Sequence, residues 1–164
     1  MNGLLLVDDE EGVRRALQKA LSRENYSIFQ ATNGHEAIEV VKQQPGDIAI
    51  VISDYKMPGL DGIGTLQKLQ AAKNKTRVIV LTASEDKNEF IQAMKFGTSG
   101  IVLKQTATEL LIKSIRKVYA GEIWLDSHTT AAVMRQFASP ARIAGPDRKG
   151  RERSPLSQRE REIV

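Results

Sequence analysis

The sequence predicts an α/β fold, a doubly wound parallel sheet of five strands with helices on both faces. Three observations predict it. Over the first 120 residues, short apolar runs alternate with stripes of helical period, five times in succession. The strongest run, Ile48–Ser53, is β-branched and apolar without polar alternation, as in a strand covered on both faces of a parallel sheet. Each strand is separated from the next by a helix, which is the pattern of parallel pairing through crossovers.

The elements follow in order. Leu4–Val7 is a short apolar run ending in acids and reads as the first strand. Residues 11–23 place Val13, Ala16, Leu17, Ala20 and Leu21 on one helical face. Tyr26–Ala31 is the second strand, with Tyr, Ile and Phe. Gly34–Gln44 is a helix with Ala37, Ile38 and Val41 inward, stopping before Pro45-Gly46. After the third strand, Asp61 can cap a helix reaching about Ala72. Arg77–Leu81 is the fourth strand, and Asp86–Phe96 a helix ended by Gly97. Ile101–Leu103 is the fifth strand. Thr106–Ala120 is a helix with Leu110, Leu111, Ile115, Val118 and Tyr119 as its inner residues.

The pattern changes after Gly121. Asp126 or Ser127 can cap a helix to about Ala138, with Thr130, Val133, Met134 and Phe137 on one stripe. Residues 139–155 are rich in Pro, Gly and Arg and read as an exposed basic linker. Residues 156–164 look like the opening of another helix, too short to bury a core. The expected division is therefore 1–121 as the principal domain, 122–138 as a linker helix, 139–155 as linker and 156–164 as an incomplete helix. Charge supports two parts. Of the net +4, residues 141–164 carry +3, with seven basic and four acidic residues, so the rest is nearly neutral.

Composition excludes several classes. With no cysteine, there is neither a disulfide framework nor a thiolate metal site. Hydrophobic residues at 41% and charged residues at 27% suit a globular protein in water. No apolar run approaches the ~20 residues of a membrane span. The N-terminus lacks a basic region and a cleavage site, so no signal peptide is expected and a cytoplasmic location is.

The chemistry lies at the strand ends. Asp8 and Asp9 end the first strand, Asp54 the third, Thr82 the fourth and Lys104 the fifth. Open α/β sheets bind ligands at the carboxyl ends of their strands, at the switch point. With strand order 2-1-3-4-5, strands one and three are neighbours and three carboxylates converge. Such a cluster repels itself unless a cation sits within it. Mg2+, held by carboxylates, waters and phosphate oxygens, suits the group. An Asp beside such an ion is equipped as a nucleophile at phosphorus. Lys104 adds a second cation, and the Thr82 hydroxyl can donate to a phosphoryl oxygen. Singly, these residues read as a helix cap, a loop acid and a surface lysine. Their coincidence at four strand ends points to chemistry.

Four segments carry a family resemblance. Val7-Asp8-Asp9-Glu10, Ser53-Asp54-Tyr55-Lys56-Met57-Pro58-Gly59-Leu60-Asp61-Gly62, Leu81-Thr82-Ala83 and Leu103-Lys104 resemble the receiver-domain motifs of two-component response regulators, over about residues 3–120. The resemblance implies a flavodoxin-like fold and phosphoryl transfer to Asp54 from a sensor histidine kinase. It implies Mg2+ bound by Asp9 directly, by Asp8 through water, by Asp54 and by the Lys56 backbone carbonyl. Thr82 and Lys104 would contact the phosphoryl group. The protein would be no enzyme beyond its own phosphoryl transfer and autodephosphorylation. Residues 156–164 resemble the first helix of a LuxR-type helix-turn-helix domain, and Gly121–Asp126 is similar to the segment leaving the receiver in NarL/FixJ-type regulators. That implies a transcription factor whose recognition helix is not in this chain, with a phosphorylation-dependent dimer. DNA would be reached only through the absent domain. Two other functions use the same ingredients: an aspartyl-nucleophile Mg2+ phosphatase, and an unphosphorylated interaction module. The phosphatase would need an acid two residues after Asp54, where Lys56 stands.

Two positions depart from the family pattern. Ile101 replaces the usual Tyr or Phe three residues before the lysine, so an aromatic rotamer switch is not available there. Gln105 replaces the usual Pro after it, so a trans Lys104–Gln105 bond is expected. The two histidines, His35 and His128, are expected at the surface, and Trp124 is expected to pack the exit segment.

Overall fold

The computed structural model describes residues 3–83, 86–125, 130, 131, 134 and 135. The chain divides into two units, Met1–Asp126 and Ser127–Val164. In the first, the strands are β1 (Gly3–Val7), β2 (Ser27–Ala31), β3 (Ile48–Asp54), β4 (Arg77–Thr82), β5 (Gly100–Leu103) and β6 (Trp124–Leu125). The helices are α1 (Glu11–Leu21), α2 (Gly34–Gln43), α3 (Gly62–Ala71), α4 (Lys87–Lys95) and α5 (Thr108–Tyr119). The strands pair in parallel in the order β2-β1-β3-β4-β5-β6. The predicted 2-1-3-4-5 sheet is thus present, with one strand added.

Each side of the sheet carries its own core. One contains Leu5, Val7, Val51, Val78 and Val80 with Ala37 and Val41 of α2 and Leu66 and Leu69 of α3. The other contains Leu4, Leu6, Ile50, Ile52, Ile79 and Leu81 with Leu21 of α1 and Leu111, Ile115 and Val118 of α5. Successive residues of β1, and of β3 from Ile50 to Ile52, thus serve opposite cores, because side chains alternate across a strand. Local chemistry sets several helix starts. Asn33 accepts from the Glu36 backbone N–H at 2.9 Å, and Glu36 reaches back to the Thr32 N–H, a reciprocal cap. Asp61 caps α3 by accepting from Gly64 N–H at 2.8 Å, as expected, and Asp86 caps α4 through Asn88 N–H at 2.8 Å.

Three expectations need correction. Trp124–Leu125 is a strand, not part of a linker helix over 122–138, and the sheet has six strands rather than five. The outer edge of β5 carries unpaired backbone groups, and after Gly121 (φ +94°) the chain returns along it, with Trp124 N–H donating to Ser99 O at 3.0 Å. Trp124 packs there against the second core. In α5, Leu110 and Tyr119 are exposed rather than inward. The buried stripe is Leu111, Ser114, Ile115 and Val118, spaced i, i+3, i+4, i+7. Ser114 hides its polarity by donating to Leu111 O at 2.6 Å. The α1 stripe is helical as expected, with Leu21 buried, Leu17 packed against the second core and Ala16 exposed, and Val13, Leu17 and Ala20 line a groove of about 330 Å³ together with Leu111 of α5.

Of the second unit, residues 130, 131, 134 and 135 are described, all helical and exposed. The remainder of the helix expected to Ala138, the basic linker 139–155, the incomplete helix 156–164 and His128 lie outside the described residues. His35 is exposed, as expected. Among the described residues no helix is long and apolar enough to cross a membrane.

Candidate functional site

Register builds the site. Val7 lies opposite Ser53, so Asp8 and Asp54 leave the sheet side by side. On the other flank Asp54 pairs with Leu81, and Thr82 pairs with Leu103. Lys104 follows, held by its N–H donating to Thr82 O at 2.8 Å. Every strand-end residue singled out in the sequence therefore arrives at the same edge.

Carboxylate oxygens of Asp8, Asp9 and Asp54 lie within 4.8 Å of one another. Asp8 and Asp54 are buried, while Asp9 is exposed. Lys104 Nζ lies 3.2 Å from Asp8 Oδ2 and 3.2 Å from Asp54 Oδ2, one ammonium between two carboxylates. Asp8 divides its two oxygens. Oδ1 accepts from Glu10 N–H at 2.9 Å, a turn contact before α1, whose N-cap Glu10 makes no side-chain cap hydrogen bond. Oδ2 is fully buried and accepts no hydrogen bond. The charge facing it is the Lys104 ammonium, 3.2 Å away. The Asp8 carbonyl accepts from Arg14 at 2.7 Å, which ties the acidic loop to α1.

Electrostatics show a site short of positive charge. Burial, and then the Asp8 carboxylate, push the Asp54 carboxyl above the ordinary aspartate range. Lys104 and the Lys56 backbone N–H oppose this without reversing it. Burial also works against the Lys104 ammonium, but Asp54 and Asp8 outweigh it and hold its pKa above the ordinary lysine value. One ammonium among three carboxylates leaves an excess of negative charge. A hard divalent cation fits the donor set, since Asp8 Oδ2 is a buried acceptor without a hydrogen bond and every side-chain ligand is oxygen.

The loop after Asp54 is shaped by its sequence. Met57 is buried in the first core, Gly59 takes φ +78°, and Asp61 starts α3. Gly62 sits so close to β3 that a Cβ there would stand 2.6 Å from the Asp54 carbonyl oxygen. Gly62→Ala is therefore expected to cost about 1–3 kcal/mol by overpacking. Urea denaturation checks this, and wild-type stability would count against it.

Both departures are settled geometrically. Ile101 is 1% exposed and belongs to the interior of β5. No cis peptide bond occurs among the described residues, so Lys104–Gln105 is trans, as expected. Sequence reasoning missed one residue here. Glu89, in the first turn of α4, accepts a hydrogen bond from Thr82 Oγ1 at 3.2 Å and pairs with Lys56 Nζ at 3.2 Å. Its signal was faint, an acid three residues after the Asp86 cap, and such acids usually serve only the helix.

Comparison with known proteins agrees with this geometry. A family model described as response regulator receiver domain matches residues 4–116. The chain is 29% identical over 163 residues to the nitrate/nitrite response regulator protein NarL of Escherichia coli (strain K12), covering 98% of this chain and 72% of the relative. Among solved structures it is similar to the receiver domain of the putative response regulator NarL from Mycobacterium tuberculosis, at TM-score 0.67 and 25% identity, over 73% of this chain and 97% of that one. A LuxR-family regulator from Aurantimonas sp. SI85-9A1 shares the fold at TM-score 0.76 and 22% identity, over 84% of this chain and 98% of that one.

Proposed function

The chain belongs to the response regulator receiver family, and from that premise we propose that Asp54 is the phosphoryl acceptor of a conformational switch. The observation that carries the reading is the convergence of Asp8, Asp9 and Asp54 around the Lys104 ammonium. The donor is a phosphohistidine of a sensor kinase, or a small acyl phosphate. An Asp54 carboxylate oxygen attacks phosphorus, and the new P–O bond forms as the P–N bond of the phosphohistidine, or the P–O bond to the acyl group, breaks. The electron pair returns to the imidazole, which takes up a proton, or leaves on the acyl carboxylate. Lys104 neutralises charge on the transferring group, and the Thr82 hydroxyl donates to one of its oxygens. Asp9, Asp54 and the Lys56 carbonyl would hold Mg2+, with Asp8 reached through water, and the ion would supply further neutralisation of the phosphoryl oxygens.

The product carries ~1.5–2 additional negative charges in a pocket already rich in them. That change biases the elements that touch the pocket. The output is dimerisation and control of transcription in the cytoplasm, through a DNA-binding domain beyond the residues of this chain. The similarity to NarL-type regulators supports this. The division into a receiver over 1–121 and a linker beyond it belongs to the same reading, with Trp124–Leu125 joined to the receiver sheet. A hydrolytic phosphatase is disfavoured, because the position two beyond Asp54 holds Lys56, exposed and paired with Glu89, where such an enzyme would carry a carboxylic acid.

Acetyl phosphate with Mg2+ tests the assignment. One base-labile phosphoryl group per chain is expected, and borohydride reduction followed by peptide mapping should locate it at Asp54. Label at another residue, or none, would refute the proposal.

A further inference from the structure

Glu89 has burial unusual for an acid on a helix surface. Its side chain is 12% exposed, and both oxygens are engaged. Oε1 takes the Thr82 hydroxyl from the end of β4, and Oε2 takes the Lys56 ammonium from the loop after β3. One carboxylate of α4 therefore holds a group on each flank of Asp54. The corner is acidic in its own right. Burial, and then the carboxylates of Glu89, Asp61 and Asp86, push the Tyr55 phenol above its ordinary pKa.

This arrangement conflicts with a phosphorylated Asp54. The Thr82 hydroxyl has a single proton, so it cannot donate to Glu89 and to a phosphoryl oxygen at once. Lys56 would likewise be drawn between two anions. The chain has no aromatic side chain at position 101 to move in response, since Ile101 is fixed in the core.

We propose that Glu89 is a positioning residue that holds Thr82 and Lys56 toward α4 before phosphorylation, and that the phosphoryl group displaces it from Thr82 and so releases the first turn of α4. The proposal rests on Asp54 being the phosphoacceptor. Glu89 competes with the phosphoryl group for the same donor, and α4 responds because its first turn carries the competitor. A ligand that favours the released state binds more tightly once the competing contact is gone.

That gives the effect a sign opposite to simple damage. The probe is beryllofluoride, titrated at saturating Mg2+ into the full chain and followed by backbone amide shifts. Glu89→Ala removes the acceptor together with its charge, while Glu89→Asp keeps the helix-end charge but shortens the reach to Thr82. Both variants are expected to bind beryllofluoride about fivefold more tightly than wild type, the weight of one side-chain hydrogen bond. Their free-state amide shifts over 86–95 are expected to lie partway toward the wild-type bound positions. A helix-end role alone predicts equal or weaker binding in Glu89→Ala and no change in Glu89→Asp. Saturable wild-type binding with equal or weaker binding in both variants would overturn the role of Glu89 and leave Asp54 untouched. Absence of saturable binding to the wild type would refute the phosphoacceptor reading itself.

Discussion

Asp54→Asn is expected to abolish phosphoryl incorporation and, in the same protein, to stabilise the fold at pH 8 without divalent cations. The two effects share a cause. Asp54 is buried beside Asp8, and burial followed by that neighbour holds its carboxyl above the ordinary range despite Lys104. The native protein therefore binds the Asp54 proton more tightly than the unfolded chain does. Between the unfolded and folded pKa values the native state holds more protons, so stability falls as pH rises through that window and stays lower above it. Asparagine carries no charge and escapes that loss. The gain at pH 8 is on the order of 1 kcal/mol, the scale of a relieved repulsion in a partly desolvated pocket. It shrinks as acid protonates Asp54 in the wild type. It shrinks as well when Mg2+ is added, because the ion stabilises the wild-type carboxylate cluster more than the variant. Urea denaturation at pH 5 and pH 8, with EDTA or Mg2+, reads the stability, and acetyl phosphate labelling reads the chemistry. Equal labelling of the two proteins, or a less stable variant at pH 8, would contradict the argument.

Lys104→Met carries the second large effect. Lys104 is the one side-chain ammonium within 4 Å of both Asp8 and Asp54 among the described residues. Removing it leaves two buried carboxylates facing each other. Breaking a buried ion pair by deleting one partner costs about 3–5 kcal/mol, since the remaining charge is stranded. The native Lys104 pKa stands above its unfolded value, because Asp54 and Asp8 outweigh the cost of burial. Its contribution is therefore complete at pH 8, below the unfolded lysine pKa, and is lost only as pH rises through the folded value. The deficit in Lys104→Met should be largest at pH 8 with EDTA and should narrow on acidification, when one carboxylate takes a proton. Millimolar Mg2+ should narrow it too. A variant as stable as wild type, or a deficit indifferent to both pH and Mg2+, would show that the ammonium does not hold the pocket together.

Much of the site was legible because its residues sit at the ends of strands that are themselves obvious. Ile48–Asp54 and Arg77–Thr82 are apolar runs ending in a polar residue, so strand and candidate ligand are read together. Asp61 was legible as a cap for the same local reason. Other features were not. Ser114 is polar and yet wholly buried, since its hydroxyl bonds within its own helix turn. Leu110 and Tyr119 are apolar and yet exposed, each about 100° around the helix from a residue of the buried stripe. Trp124–Leu125 became a strand because an edge of β5 was free to receive it.

The sequence by itself determined five of the six strands, most helix limits, the Asp61 cap, and the identities of the acids, threonine and lysine at the strand ends. These rest on interactions spanning a few residues, which composition and period record directly. Only the tertiary structure decided that Asp8 and Asp54 share one ammonium, that Asp8 keeps one oxygen without a hydrogen bond, and that Glu89 reaches both Thr82 and Lys56. Those facts depend on strand register and on side chains meeting across elements, and neither is encoded in the spacing of residues along the chain.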